Sequence, residues 1–257
     1  AIDHGYIKSI EQSILEFFPE YKSDANEGLS QKVTIRHLLT MTVPYPYDDW
    51  NEPLDKLCQQ PDWIKYTLNI MGQNGKLGDF KYSTAGAHVL SAIITRSTGK
   101  SAREFANEYL FKPINMGEIP YYKMEAYGFD ELFGKKRRGW VEDPMGNSTG
   151  GWGLGLTPRD MARFGLLYLN NGEWGDQRVI SKKWIEESTA MNDNHYGYLW
   201  WLREEEQDFA YMAMGDGGNL ICCIPKKDLV IAIASEFIPN PRDRWILIKE
   251  GILPAIL

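Results

Sequence analysis

The residues most open to a chemical reading are Gly215-Asp216-Gly217-Gly218, which stand between two apolar runs. Three glycines in four positions mark tight backbone or the close approach of another group. If that group is a substrate, the turn is one wall of a site; if not, it is a glycine-rich hairpin turn with no ligand. It does not open a helix, so it is not a phosphate cradle. Cys222 and Cys223 are adjacent and, on a strand, point to opposite faces, so they are poorly placed to bridge each other. With Cys58 they make an odd count without ligand spacing. That argues against a disulfide framework or a zinc site and fits a reducing, cytoplasmic compartment. His4, His37, His88 and His195 form no HExxH-like cluster, so no metal and no cofactor is expected. Asn147-Ser148-Thr149 matches a glycosylation sequon, a pattern common by chance. Trp152, Tyr198, Trp200 and Trp201 are candidates for the apolar walls of a cleft, with core positions expected for at least two of them.

The elements that must position these residues are legible in outline. Tyr196–Leu202, Phe209–Met214, Asn219–Ile224 and Leu229–Ala234 read as four antiparallel strands, separated by the acidic turn 204–208, the glycine turn and Pro225–Asp228. The last run is apolar without alternation, which suits a strand covered on both faces. Upstream, helices dominate. Ser9–Gln12 is a capping box expected to open a helix ending at Pro19. Thr34 caps Ile35–Thr40, with His37 a structural residue inside it. Pro61-Asp62 starts a helix to about Ile70. The segment after Tyr82-Ser83-Thr84 is a helix with one buried face, stopped by Gly99. Ser101–Glu104 is a second capping box, opening a helix to Phe111. Residues 115–150 look irregular. Thr157-Pro158-Arg159-Asp160 is a strong start for a helix to Asn170, Ser181 caps Lys182–Ser188, and Pro241–Leu257 is a final helix. Helices first and an antiparallel sheet last describe an α+β protein.

The chain has 257 residues, is 43% hydrophobic and carries a net charge of −7. The composition excludes wholesale disorder, and the acidic balance argues against a nucleic-acid partner. The one basic run, Lys135–Arg138, reads as a solvated loop. No apolar run reaches the ~18 residues of a membrane span. Ala1–His4 reads as the last turn of a helix stopped by Gly5. Pro44–Trp50 is turn-rich and aromatic, and could line a cleft.

Several stretches together resemble the serine β-lactamase and penicillin-binding-protein superfamily, in its branch of β-lactamase-related esterases and amide hydrolases. They are VTIRHLLTMT at 33–42, KYSTAGAHVLSAIITRSTGKS at 81–101, DPMGNSTGGWGLGLTPRDMARFGLLYLNNGEW at 143–174, YGYLWW at 196–201 and AMGDGGNLICCIP at 213–225. They span nearly the whole chain, and are most similar to aminohexanoate-dimer hydrolases. The resemblance implies one β-lactamase-like domain over 1–257, with a helical and irregular subdomain at roughly 20–150 and a sheet-and-helix part at 151–257. It implies a small ester or amide substrate and an acyl-enzyme mechanism. A serine in S-x-x-K attacks, the lysine one turn on helps remove its proton, a tyrosine protonates the leaving group, and two backbone N–H groups hold the oxyanion. By position, Tyr82 matches the tyrosine of the family's Y-x-N motif. Thr84 stands where the family has Asn, with the helix N-cap as its other reading. Ala213-Met214-Gly215 replaces K-T-G, and the loss of that lysine removes a partner for a penicillin-type carboxylate. Gly215 and the Asp216 N–H would form the oxyanion strand, with Thr84, Trp152, Trp200, Ala213 and Met214 beside the substrate.

The only S-x-x-K present is Ser97-Thr98-Gly99-Lys100. It falls at a helix end where Gly99 breaks the alignment of Ser with Lys, so Ser97 is expected to be a decoy. The resemblance places the nucleophile helix at Ala1–His4 and upstream, which leaves no nucleophile in the chain and the first strands missing. A catalytically inactive homologue or binding module is the alternative.

Overall fold

The computed structural model describes residues 1–21, 32–47, 51–124, 139–205, 208–238 and 240–256. The basic run 135–138, the tip 206–207 of the acidic turn and residues 48–50 of the aromatic segment lie outside the described residues.

The architecture is α+β. Helices α1 (Ile35–Leu39), α2 (Leu54–Cys58), α3 (Trp63–Ile70), α4 (Thr84–Thr98) and α5 (Ala102–Ala106, continued by a wider turn Asn107–Phe111) fill the first half. Short strands β1 (Tyr121–Tyr122), β2 (Gly139–Val141) and β3 (Leu154–Gly155) form a small sheet in the segment expected to be irregular. Then come α6 (Pro158–Leu169), the hairpin β4 (Glu173–Trp174) and β5 (Gln177–Arg178), and α7 (Lys182–Ser188). The main sheet is the meander β6 (Trp201–Glu205), β7 (Asp208–Gly215), β8 (Asn219–Ile224) and β9 (Leu229–Ile233), in that spatial order and antiparallel throughout. The C-terminal helix α8 runs as Arg244–Leu247, a wide turn Ile248–Ile252 and Leu253–Ile256.

Local chemistry accounts for most boundaries. The Thr157 side chain accepts from the Asp160 N–H with Pro158 in the first turn of α6, and Ser181 and Ser101 cap α7 and α5 in the same way. Gly99 ends α4 in the left-handed region at φ 72°. In α8, Pro254 has no N–H to give. The widened turn just before it, closed by a Leu253 N–H to Ile248 carbonyl bond, carries the helix past that gap. The helix begins at Arg244, capped by Asp243, and not at Pro241.

Two sequence expectations are corrected. In Ser9–Gln12 only half of the box forms: the Gln12 amide oxygen accepts from the Ser9 N–H at 3.3 Å, but Ser9 Oγ accepts from the Glu11 N–H at 3.1 Å, and the segment builds only a turn. Ser13 then pairs with Thr34 as an isolated bridge, which draws the chain into extended geometry before a single 3₁₀ turn at Ile14–Glu16. The first meander strand starts at Trp201 and not at Tyr196. His195 and Leu199 take positive φ (52° and 62°), so 196–200 is a turn that pairs with β6 through a Tyr196–Trp201 bridge.

The sheet is covered on both faces, as the unalternating last strand implied. Ala210, Met212, Leu220, Cys222 and Ile231 pack against Trp245, Ile248 and Leu253 of α8. Tyr211, Ile221 and Cys223, with Val230 and Ala232, pack against Met161 and Tyr168 of α6. Cys222 and Cys223 thus point to opposite faces, and all three cysteines are free thiols. Gly165 lets α6 come close, since a Cβ there would lie 2.6 Å from Val230 Cγ1. The largest apolar cluster lies elsewhere, joining residues 7–18, α1, α3 and α4 through Ile14, Phe18, Leu38, Leu68 and Ile93. Each such side chain contributes about 1.5–3 kcal/mol by leaving water. It is this cluster that fixes α4, and with it Tyr82, against the rest of the molecule.

Candidate active site

The candidate site gathers at the N-terminal end of α4. Ser83 is the N-cap: its backbone is extended (φ −148°) and its Oγ accepts from the Gly86 N–H at 2.9 Å. The reading of Thr84 as N-cap is therefore corrected, because Thr84 is already the first helical residue. A carboxylate from outside the helix meets the same turn. Glu52 Oε2 accepts from the Thr84 N–H at 2.6 Å, and Oε1 accepts from the Ala85 N–H at 2.8 Å, the Ser83 hydroxyl at 3.2 Å and the Tyr47 hydroxyl at 2.9 Å. A negative charge is favoured there by the unpaired N–H groups and the helix dipole.

Tyr82 sits just before this cap. Its ring stacks on Trp201 with centroids 5.6 Å apart and planes 20° from parallel, and it meets Tyr196 edge-on at 6.2 Å. Trp201 opens β6 and pairs with Met212 of β7, so the tyrosine is docked on the sheet. Behind it, Met41 adopts φ 55°, an uncommon conformation for a long side chain. Its carbonyl accepts from the Lys81 N–H at 2.6 Å and its Sδ from the Ser83 N–H at 3.4 Å. Leu199, also left-handed, donates its N–H to the Leu39 carbonyl at 3.0 Å. Two bulky left-handed residues in the apolar cluster around Tyr82 are local strain held by packing.

Burial pushes the Tyr82 phenol above its ordinary value, and the carboxylates of Glu52 and then Asp216 push it further. Through Trp201, which stacks on Tyr82 and pairs with Met212 of β7, the helix entry is docked on the strand that leads to the glycine turn. With anions acting on it, the phenol keeps its proton. A base role would need a cation to reverse that balance.

The glycine turn divides between packing and openness. A Cβ on Gly217 would lie 2.9 Å from Phe237 Cα, and one on Gly218 2.0 Å from Arg244 Nη2. The group whose close approach these two glycines permit is therefore the protein's own chain. Arg244 Nε also donates to the Gly218 carbonyl at 3.1 Å. Gly215 is different: it is exposed, and its Cβ would meet only Asn219, at 3.3 Å. The Asp216 carboxylate turns back to accept from the Gly217 N–H at 2.8 Å.

The remaining sequence candidates separate. Gly151 packs so closely on Thr84 that its Cβ would lie 2.3 Å from Thr84 Cγ2. The next residue, Trp152, packs with Trp63 and Ala85 beside the same helix turn. Met214 is 47% exposed at the end of β7, whereas Ala213 faces the α6 layer. Trp200 is corrected from cleft wall to core. It is 3% exposed and lies between Phe164, Tyr168 and Tyr211, because the left-handed Leu199 turns the chain before β6. Tyr198 accepts from Arg36 and packs on Trp184, away from Tyr82. Ser97 Oγ donates to the Ile93 carbonyl at 2.8 Å and Lys100 pairs with Glu108, so the two do not form a nucleophile–base pair. Asn147 of the sequon is 8% exposed, with its amide on Asp143. Glu52 and Met41 escaped the sequence reading. Their partners lie 31–33 and 40–42 residues away, and no spacing rule connects them.

An antiparallel sheet covered by helices on both faces, with a mostly helical first half, is an α+β fold of the β-lactamase and penicillin-binding-protein kind. The Beta-lactamase family model matches residues 12–247, and the chain belongs to that family. It is 24% identical to the 6-aminohexanoate-dimer hydrolase of Paenarthrobacter ureafaciens over 98% of its own length, and spans 66% of that protein. Its fold is shared by a putative 6-aminohexanoate-dimer hydrolase from Bacillus anthracis (TM-score 0.70, 22% identity, 96% of this chain and 66% of that one). It is shared also by a family VIII carboxylesterase (TM-score 0.61, 19% identity, 95% and 75%).

Proposed function

We propose that this chain carries the tyrosine and oxyanion-strand part of a serine hydrolase that cleaves a small ester or amide through an acyl-enzyme. The observation that carries the reading is Tyr82, held at the entry of α4 by its stacking on Trp201, which pairs with the strand that ends at the Gly215-Asp216 turn; burial and nearby carboxylates favour its protonated form. A protonated phenol there suits delivery of a proton to the leaving group as the serine–carbonyl adduct collapses. The backbone at Gly215-Asp216 suits an oxyanion donor, since Gly215 is open to approach and the Asp216 carboxylate is turned onto the adjacent N–H. Ala213 in place of a lysine leaves this strand without a cation for a substrate carboxylate, which favours a neutral ester or amide. The family membership and the hydrolase and carboxylesterase named among the similar proteins support this class. The nucleophile in this reading is an S-x-x-K serine outside residues 1–257, on the helix that Ala1–His4 would end. Gly5 and Tyr6 close onto Ile2 and Ala1 through 5→2 and 6→1 bonds, the geometry of a helix terminus.

The test is turnover of p-nitrophenyl esters and fluorophosphonate labelling of the full-length protein. We expect one labelled serine, none of it within residues 1–257, and a kcat about 10²–10⁴-fold lower in Tyr82→Phe. Stoichiometric labelling of Ser97, or turnover indifferent to Tyr82→Phe, would overturn the reading.

A further inference from the structure

We propose that Glu52 is a positioning residue for Tyr82, clamping the first turn of α4 so that the phenol stays stacked on Trp201. The inference rests on the reading of Tyr82 as the residue that touches substrate, and adds to it the group that holds that residue in place.

Four donors converge on the one carboxylate, and three of them belong to the three residues that directly follow Tyr82: the Ser83 hydroxyl and the Thr84 and Ala85 N–H groups. The two backbone bonds use different oxygens, so the carboxylate grips the turn as a fork, and charge-assisted bonds of this kind are the strong ones. The cap residue does not do this by itself, since Ser83 Oγ satisfies only the Gly86 N–H and leaves the Thr84 and Ala85 N–H groups to Glu52. Nor does Glu52 belong to α4: it precedes α2, and the tie spans 31 to 33 residues of chain. The fourth donor, Tyr47, also bonds Ser83 Oγ at 2.7 Å and stacks on Tyr45, which anchors the carboxylate's own segment. On the opposite side Met41 takes the N–H groups of Lys81 and Ser83. Tyr82 therefore lies between two clamps, and its backbone has no freedom to swing the ring away from the sheet.

Glu52 acts on the ring electrically as well. Among the described residues, the charged groups that act on the phenol are Glu52 from its own segment and Asp216 from the turn after β7. Tyr196 meets it edge-on and Trp201 face-on, both uncharged, and Lys81 precedes it in the chain. Removing the Glu52 charge removes one of the two anions that favour the protonated phenol.

The test uses Glu52→Gln in the full-length protein. This variant keeps the side chain's size and one acceptor oxygen but replaces the other with a donor that cannot take an N–H. Proteins labelled with [ζ-¹³C]tyrosine report the Tyr82 resonance, assigned by its loss in Tyr82→Phe. Glu52→Gln should shift that resonance at neutral pH and move its titration to lower pH. Ser181→Ala, which removes the N-cap of α7, should leave it in place. In turnover, Glu52→Gln should lower kcat by about 10- to 100-fold with little change in KM, and should cost nothing further in a Tyr82→Phe background. An unmoved Tyr82 resonance, or an equal loss in both backgrounds, overturns the proposal. A moved resonance in a protein without hydrolase activity keeps the clamp and refutes the hydrolase reading.

Discussion

His88 and Asp143 show how a single polar pair holds the wall of the site. Both side chains are fully buried, with His88 Nε2 2.9 Å from Asp143 Oδ2. The Gly150 N–H can only donate, so the His88 Nδ1 it meets at 3.3 Å is an acceptor and the ring proton sits on Nε2, directed at Asp143. The carboxylate also accepts from the N–H groups of Met145 and Asn147 and from the Asn147 amide. Burial alone would push the Asp143 carboxyl up; the His88 bond and then the Asn147 bonds outweigh it and hold the carboxyl below its ordinary range. A lowered carboxyl contributes stability that is present above the ordinary value of about 3.9 and is lost as pH falls through the lowered one. Asp143→Ala leaves a buried imidazole, two backbone N–H groups and the Asn147 amide without their acceptor. We expect it to cost about 3 kcal/mol or more in urea unfolding at pH 7, and a cost below about 1 kcal/mol would mean the pair is not the anchor of this loop. None of this was visible in the sequence, where His88 is one of four scattered histidines. Its partner lies 55 residues on, and only the fold makes them neighbours.

Among the elements, the decisive contact is the segment 143–153 lying on α4. It is made by Gly150 and Gly151, neither of which has room for a side chain. A Cβ on Gly150 would lie 2.3 Å from the Ala87 carbonyl oxygen and 2.7 Å from His88 Cα, which are backbone atoms of a helix and cannot yield. Gly146, four residues earlier, has φ 84° but nothing within 4 Å of its Cβ position. The two substitutions to alanine thus separate steric closeness from backbone strain. Gly146→Ala is expected to cost about 1–2 kcal/mol from the left-handed conformation alone. Gly150→Ala should cost about 3 kcal/mol or more and lift Trp152 from Trp63. Thermal melts of the pair would show the order, and the reverse order would place the segment off α4. At this scale the sequence was a good guide wherever a helix end carries its own chemistry, as at Ser101, Thr157 and Ser181. It failed at Ser9–Gln12, where only half of the capping box forms and the pairing of Ser13 with Thr34 dictates an extended path.

For the molecule as a whole, the α+β class and the last three strands were legible because Gly215–Gly218 and Pro225–Asp228 punctuate them. The facing of the aromatics before β6 was not, because a left-handed Leu199 decides it and no residue type announces that conformation. Tyr82 came forward as a candidate through the resemblance of its motif, while the Glu52 that grips its turn did not. The layered core has a pH consequence that follows from burial alone. Cys222 and Cys223, on opposite faces of β8, are both pushed up to about 12 from an ordinary value of 9.0. Burial also raises Tyr196 and Tyr211, against an ordinary 10.0. A raised acid keeps its proton in the folded state after the unfolded chain has lost it. The stability it contributes is complete below the unfolded value and is lost as pH climbs towards the folded one. The window therefore opens near pH 9 with the thiols and steepens above pH 10 with the tyrosines. Each group removes roughly 1.4 kcal/mol per pH unit within its window, against a total stability of about 5–15 kcal/mol for a folded domain. Urea midpoints should hold steady from pH 7 to pH 8.5 and fall steeply by pH 11, with near-ultraviolet circular dichroism lost in one step as both faces of the sheet open together. Burial pushes Cys58 up to about 12 as well, so replacing all three cysteines by alanine should delay the onset of that fall to the tyrosine range, and a midpoint unchanged between pH 8 and pH 11 would show that the sheet's two faces are not the closed layers described.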